Sequence, residues 1–159
     1  MSEELKLQRA QQTFATLCNA LDHHEWNYDR NDEKLAISCT ARGDDLPVEL
    51  TVTVDARRQI VMVLSRLPVT IPEDKRIETV LAVSKANDLM VDGSFDMDLG
   101  SGKLYFRITN SFIDSELGEE LFMYLILCAC HTIDEYNDRF LMLAKGMMDL
   151  GKFIELAEA

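Results

Sequence analysis

The stretch that most constrains this chain is Phe95-Asp96-Met97-Asp98-Leu99-Gly100-Ser101-Gly102-Lys103-Leu104-Tyr105-Phe106-Arg107. It has the pattern of a β-hairpin, with a tight turn at Gly100-Ser101 supplying the positive φ that short hairpin loops need. That turn sets Asp98 opposite Lys103, Met97 opposite Leu104 and Phe95 opposite Phe106. Apolar side chains then meet on one face and opposite charges on the other. A slip of one residue would send every side chain to the wrong face, so the register is fixed by the sequence itself.

Periodicity organises the rest. Leu7, Ala10, Phe14, Leu17 and Leu21 recur at three- and four-residue steps, which predicts a helix from Glu3 to about Leu21, capped by Ser2. Strands follow at Trp26–Asp29 and Lys34–Cys39, with Tyr28 expected opposite Leu35 and Trp26 opposite Ile37. The next strand alternates Val48, Leu50, Val52 and Val54 with polar residues. It returns through Asp55–Gln59 into Ile60–Leu67, which sets Ile60 against Val54 and Met62 against Val52. In that register Val61 and Val63 lie on the opposite face, and a strand apolar on both sides wants cover on both.

Pro72 suits the first position of a helix whose early turn carries Glu73 and Asp74. Its buried stripe is expected to be Ile77, Val80, Leu81, Ser84 and Leu89. A long final helix from Glu116 towards Met148 carries two apolar stripes. One is Leu117, Leu121, Tyr124, Leu125, Cys128, Thr132, Tyr136 and Leu143. The other is Phe122, Ile126, Ala129, Cys130 and Ile133. Gly146 and Gly151 interrupt it before a short amphipathic tail. The expected order is α-β-β-β-β-α-β-β-α. That is an α+β fold with a curved antiparallel sheet and helices on one face, forming a single domain over residues 1–159.

Composition narrows the function classes. A net charge of −12 disfavours nucleic acid and anionic membranes as partners, while suiting solubility and a basic or amphipathic protein segment. The N-terminus has no apolar core of a signal peptide, and Leu121–Cys130 is about half of a membrane span, so the expected location is cytoplasmic. Cys18 and Cys39 fall on apolar positions. Cys128 and Cys130 diverge by about 200° on a helix, which opposes a local disulfide and a zinc site with His131. Asp96-Met97-Asp98-Leu99-Gly100 lacks the remaining oxygen ligands of a calcium loop. Gly100-Ser101-Gly102 precedes no helix that could cradle phosphate. His23-His24 suits a helix C-terminus.

No catalytic residue, metal or cofactor is therefore expected. What remains is surplus apolar surface, which the pattern places on Val61, Val63, Phe122, Ile126 and Ile133 as a face for self-association or a partner. A different class, an enzyme centred on His131, Asp134 and Tyr136, is the alternative.

Several motifs resemble the YbjN-type bacterial sensory transduction regulators: Val69-Thr70-Ile71-Pro72 leading into a helix, Asn87-Asp88-Leu89-Met90-Val91-Asp92-Gly93-Ser94-Phe95, Gly102-Lys103-Leu104-Tyr105-Phe106-Arg107, and Thr132-Ile133-Asp134-Glu135-Tyr136. The likeness spans about Thr13 to Gly146. It implies a fold like that of type III secretion chaperones, which are small, acidic, commonly dimeric proteins that hold an unfolded client segment. It brings no catalytic residues. The function expected is a non-enzymatic, dimeric, cytoplasmic regulator or binding protein, with a secretion-type chaperone as the nearer alternative.

Overall fold

The computed structural model describes residues 1–159. Its elements are α1 (Glu3–His23), β1 (Asp29–Asn31), β2 (Ala36–Ala41), β3 (Val48–Asp55), β4 (Ile60–Thr70), α2 (Arg76–Asp88, entered through a 3-10 turn at Glu73–Lys75), β5 (Ser94–Met97), β6 (Lys103–Ser111), α3 (Glu119–Ala144) and α4 (Leu150–Glu158). The six strands form one antiparallel sheet in the order β1-β2-β3-β4-β6-β5. The α+β class and the helix-strand order of the sequence reading stand, with the tail realised as α4.

The β5–β6 hairpin has the expected register: Phe95 pairs with Phe106, Met97 with Leu104, and the Asp98 N–H donates to the Lys103 carbonyl at 2.9 Å. The positive φ falls on Gly102 (75°) and not on Gly100. A Cβ at Gly102 would sit 2.1 Å from the Ile71 carbonyl oxygen. The Asp98 carboxylate does not reach for Lys103. It accepts from the Ser101 hydroxyl at 2.8 Å and the Gly100 N–H at 3.0 Å.

Two other registers differ from expectation. In β1–β2, Arg30 lies opposite Ile37 because the chain turns at Asp32–Leu35, with Leu35 in the left-handed region (φ 49°). In β3–β4, Asp55 pairs with Ile60, Val54 with Val61 and Val52 with Val63. Gln59, also left-handed (φ 53°), closes this turn one residue tighter than the sequence pattern suggests. Its carbonyl accepts the Phe112 N–H at 2.9 Å, so the turn is also tied to the end of β6. Strand β4 continues through Pro68 to Thr70, with an irregularity in its pairing to β6 between Arg66 and Thr70.

α1 and α3 pack together on one face of the sheet, and α2 lies beside the edge strand β5 with α4 alongside it. The single core joins all four helices to the inner faces of the strands. At its α2 end Phe95, Tyr136, Phe140 and Phe153 stack at centroid separations of 5.1 to 6.1 Å, the edge-on and tilted geometry aromatic rings prefer.

Candidate protein-binding surfaces

Surplus apolar surface is present, but on different residues from those the sequence reading assigned. Val61, Val63, Phe122, Ile126 and Ile133 are all sealed inside one chain, none more than 1 % exposed. The tight turn at Gln59 is the reason for the first two. Moving the β4 register by one residue turns Val61 and Val63 onto the core face and sends Ile60, Met62 and Leu64 to the outer face, where they are half-buried. Phe122, Ile126 and Ile133 belong to the stripe by which α3 faces the sheet and α1.

The exposed apolar face lies on α2. The stripe assigned to the core, Ile77, Val80, Leu81, Ser84 and Leu89, points to solvent, with Ile77 75 % and Leu81 52 % exposed. The side turned inward carries Thr79, Ala82, Val83 and Ala86. These are mostly small because α2 lies close against β5 and α4.

The hairpin tip extends this face. The Arg76 guanidinium donates to three carbonyls, Ile71, Leu99 and Gly100, at 3.1 to 3.2 Å. It thereby holds Leu99, itself 60 % exposed, beside the outer side of α2. Between them runs an open groove of about 390 Å³ lined by Val80, Val83, Ser84, Met97 and Leu99.

At the edge of β5, the Asn87 carboxamide accepts the Phe95 N–H at 2.8 Å and donates to the Phe95 carbonyl at 3.0 Å. The two bonds imitate a strand partner and cover the centre of that edge. The opposite edge is less covered. β1 pairs only with Ala36–Ser38, whereas β2 runs to Ala41, so Cys39–Ala41 carry no strand on that side. A groove of about 690 Å³ opens there onto the uncovered face of the sheet, lined by Tyr28, Ser38, Thr40, Glu49, Thr51, Leu64 and Arg66 among others. The Tyr28 hydroxyl is fixed by donating to Asp22 at 2.8 Å, and burial together with that bond pushes it up to about 12.

His131 is exposed. The Asp134 carboxylate accepts the Asp44 N–H at 2.8 Å and pins the β2–β3 loop to α3, where Gly43 leaves no room for a side chain. Tyr136 lies in the aromatic cluster. The three residues of the enzyme alternative are thus engaged in three different environments, and none lines any of the five main surface grooves. Cys18 and Cys39 are buried, as their apolar positions suggested. Burial, with Cys39 and Asp134 nearby, pushes the Cys130 thiol up to about 11, away from the nucleophilic thiolate. No three His, Cys, Asp or Glu side chains are grouped to hold a metal, and no helix is long and apolar enough to cross a membrane.

Residues 13–142 match the YbjN family model, described as "Putative bacterial sensory transduction regulator", and the chain belongs to that family. No curated protein matches it in sequence. Several solved structures share the fold, three of which follow. The crystal structure of YbjN, a transcription regulator candidate from E. coli, superposes with a TM-score of 0.58 at 12 % identity, covering 78 % of this chain and 87 % of that one. A chain of the HopA1–SchA chaperone–effector complex gives 0.55 at 14 % identity, covering 78 % and 91 %. A chain of the ExsC–ExsE complex gives 0.54 at 18 % identity, covering 80 % and 92 %. The fold is thus that of type III chaperone-like proteins, as the sequence resemblance implied.

Proposed function

We propose that this protein is a non-enzymatic, cytoplasmic binding protein that self-associates through the outer face of α2 and holds an extended segment of a protein partner. The observation that carries the reading is the reversed helix: α2 presents Ile77, Val80 and Leu81 to water and keeps alanines inside. A soluble chain gains nothing from that arrangement unless a second surface covers it. A two-fold pairing of α2 faces would let each copy cover the other, with Leu99 of each hairpin tip at the rim.

For the partner segment, the free edge of β2 at Cys39–Ala41 and the open sheet face supply unpaired backbone and a shallow groove, the elements of strand addition. Asn87 already occupies the corresponding groups of β5, which directs strand addition to the β2 side. The charge of −12 favours a basic segment and speeds its encounter. The chaperone–effector complexes among the structural neighbours favour one specific secreted client as the second reading.

Light scattering behind size exclusion tests the self-association. A dimer is expected for the wild type and a monomer for the Ile77→Glu/Leu81→Glu double variant; a wild-type monomer across the micromolar range sinks the reading. Mass spectrometry of material co-purified from the native cell tests the partner. A single abundant client protected at its N-terminal segment supports the chaperone reading, and several partners support the regulator.

A further inference from the structure

The helix α4 lies beyond the stretch that matches the family model, which ends at residue 142. It has nine residues, too few to stay helical alone in water, so it owes its conformation to docking. Only Phe153 is fully buried; Leu150, Ile154, Leu156 and Ala157 are half-buried. By contrast α3 buries ten side chains. The connection to α4 passes through Gly146, with φ 70°, and Met147, 68 % exposed.

The bed under α4 is built for a helix of defined direction. Its floor is Tyr136 and Phe140, whose ring centroids lie 5.9 and 5.2 Å from that of Phe153. Its wall is α2, which offers a carboxylate at one end and an ammonium at the other. Glu78 Oε1 accepts the Leu150 N–H at 2.9 Å, one of the donors a helix start leaves without a partner. Lys85 Nζ meets Glu158 at 2.7 Å in the last turn, where a cation also suits the dipole. A carboxylate facing the first turn and an ammonium facing the last select one helix polarity. An aromatic slot between them selects one anchor. None of this requires the helix to belong to the same chain.

We propose that the bed between α2 and α3 is a helix-docking site, that α4 is its resting occupant, and that a partner's amphipathic helix with one aromatic anchor and an acidic last turn displaces it. Tethering gives α4 a high effective concentration, so the partner's apparent affinity is reduced by the fraction of time α4 is seated. The site is separate from the strand-addition groove and from the outer face of α2, and its test does not depend on either.

The probe is a fluorescent peptide of residues Met147–Ala159, titrated by anisotropy onto the full chain. Both variants alter α4 and leave the bed intact. Phe153→Ala, which removes the in-chain anchor, should tighten peptide binding at least ~10-fold, and Glu158→Gln, which frees only the Lys85 contact, by about 3-fold. A peptide with alanine in place of its phenylalanine should not bind. Hydrogen exchange on the unaltered chain supplies a reading that no folding defect can obscure: α4 amides should exchange at least ~100-fold faster than those in the middle of α3, through local opening. Equal protection of α4 and α3, or unchanged peptide binding in the folded variants, overturns the proposal.

Discussion

Helices α2 and α3 flank the same hydrophobic core and treat their apolar residues in opposite ways. In α3, Phe122, Leu125, Ile126, Ile133 and Phe140 face the core, and the exposed positions mix Glu120, His131 and Glu135 with Tyr124 and Leu127. In α2, Thr79, Ala82 and Ala86 face inward while Ile77, Val80 and Leu81 face out. The difference comes from what each helix lies against. α3 crosses the face of β3, β4 and β6 with α1 packed at its side, where large side chains are needed to leave no void. α2 lies at the β5 edge with α4 at its side, and the residues it turns inward there are mostly small. Hydrophobic periodicity locates a stripe on a helix. The depth of the space beside the helix decides whether that stripe can be inside.

Truncation on α3 should give the largest effect. Phe122→Ala removes a fully buried ring and should cost about 3–5 kcal/mol of stability, read as a large fall in urea midpoint. The matched change on α2 should behave in the opposite sense. Ile77→Glu/Leu81→Glu should leave the stability of the isolated subunit within about 0.5 kcal/mol, since no buried contact is lost. The same double variant should weaken self-association at least ~100-fold, or about 2.7 kcal/mol. If it instead unfolds the subunit as Phe122→Ala does, the contrast between the helices is wrong.

Asn87 is a smaller test, because it is a polar residue on the inner side of α2. Asn87→Ala strands the Phe95 N–H and carbonyl, and should cost about 1–3 kcal/mol. Amide exchange should rise at Phe95 while α3 stays protected. A variant as stable as the wild type would mean that water replaces the carboxamide at that edge, leaving β5 as open to a partner strand as β2.

Parts of the molecule governed by local chemistry were legible in the sequence. Ser2 accepts the Leu5 N–H as an N-cap, and Phe95 and Met97 pair as the hairpin pattern requires. Parts governed by non-glycine residues in left-handed conformations were not. Leu35 and Gln59 are each unfavourable choices there, and nothing in their neighbours announces the displaced turn at Leu35 or the tighter one at Gln59. The single-residue shift at Gln59 was enough to exchange Val61 and Val63 with Ile60 and Met62 between the two faces, and with them the assigned binding surface. The direction of the α2 stripe was out of reach for a different reason. The inward side of α2 is the one that meets β5 and α4, and α4 lies about sixty residues further along the chain.

The smallest expected effect concerns the turn that presents Leu99 to the outer side of α2. Asp98 is fully exposed, yet its carboxylate accepts from the Ser101 hydroxyl and the Gly100 N–H, and these bonds hold it below the usual carboxylate range. A carboxylate depressed in the folded state contributes stability that is present above its unfolded value and is lost as pH falls through the folded one. Asp98→Asn should therefore be slightly less stable than the wild type at neutral pH. The gap should close as pH falls below about 4, the unperturbed aspartate region, because only the wild-type side chain titrates there. The other carboxylates are common to both chains and cancel in the difference. Denaturant titrations of the pair at pH 7 and pH 2.5 measure it. A gap that persists unchanged at low pH would mean that the turn is held by Gly102 and the Arg76 bonds to Leu99 and Gly100 alone. In that case the outer face of α2 keeps its rim whatever the charge state of Asp98.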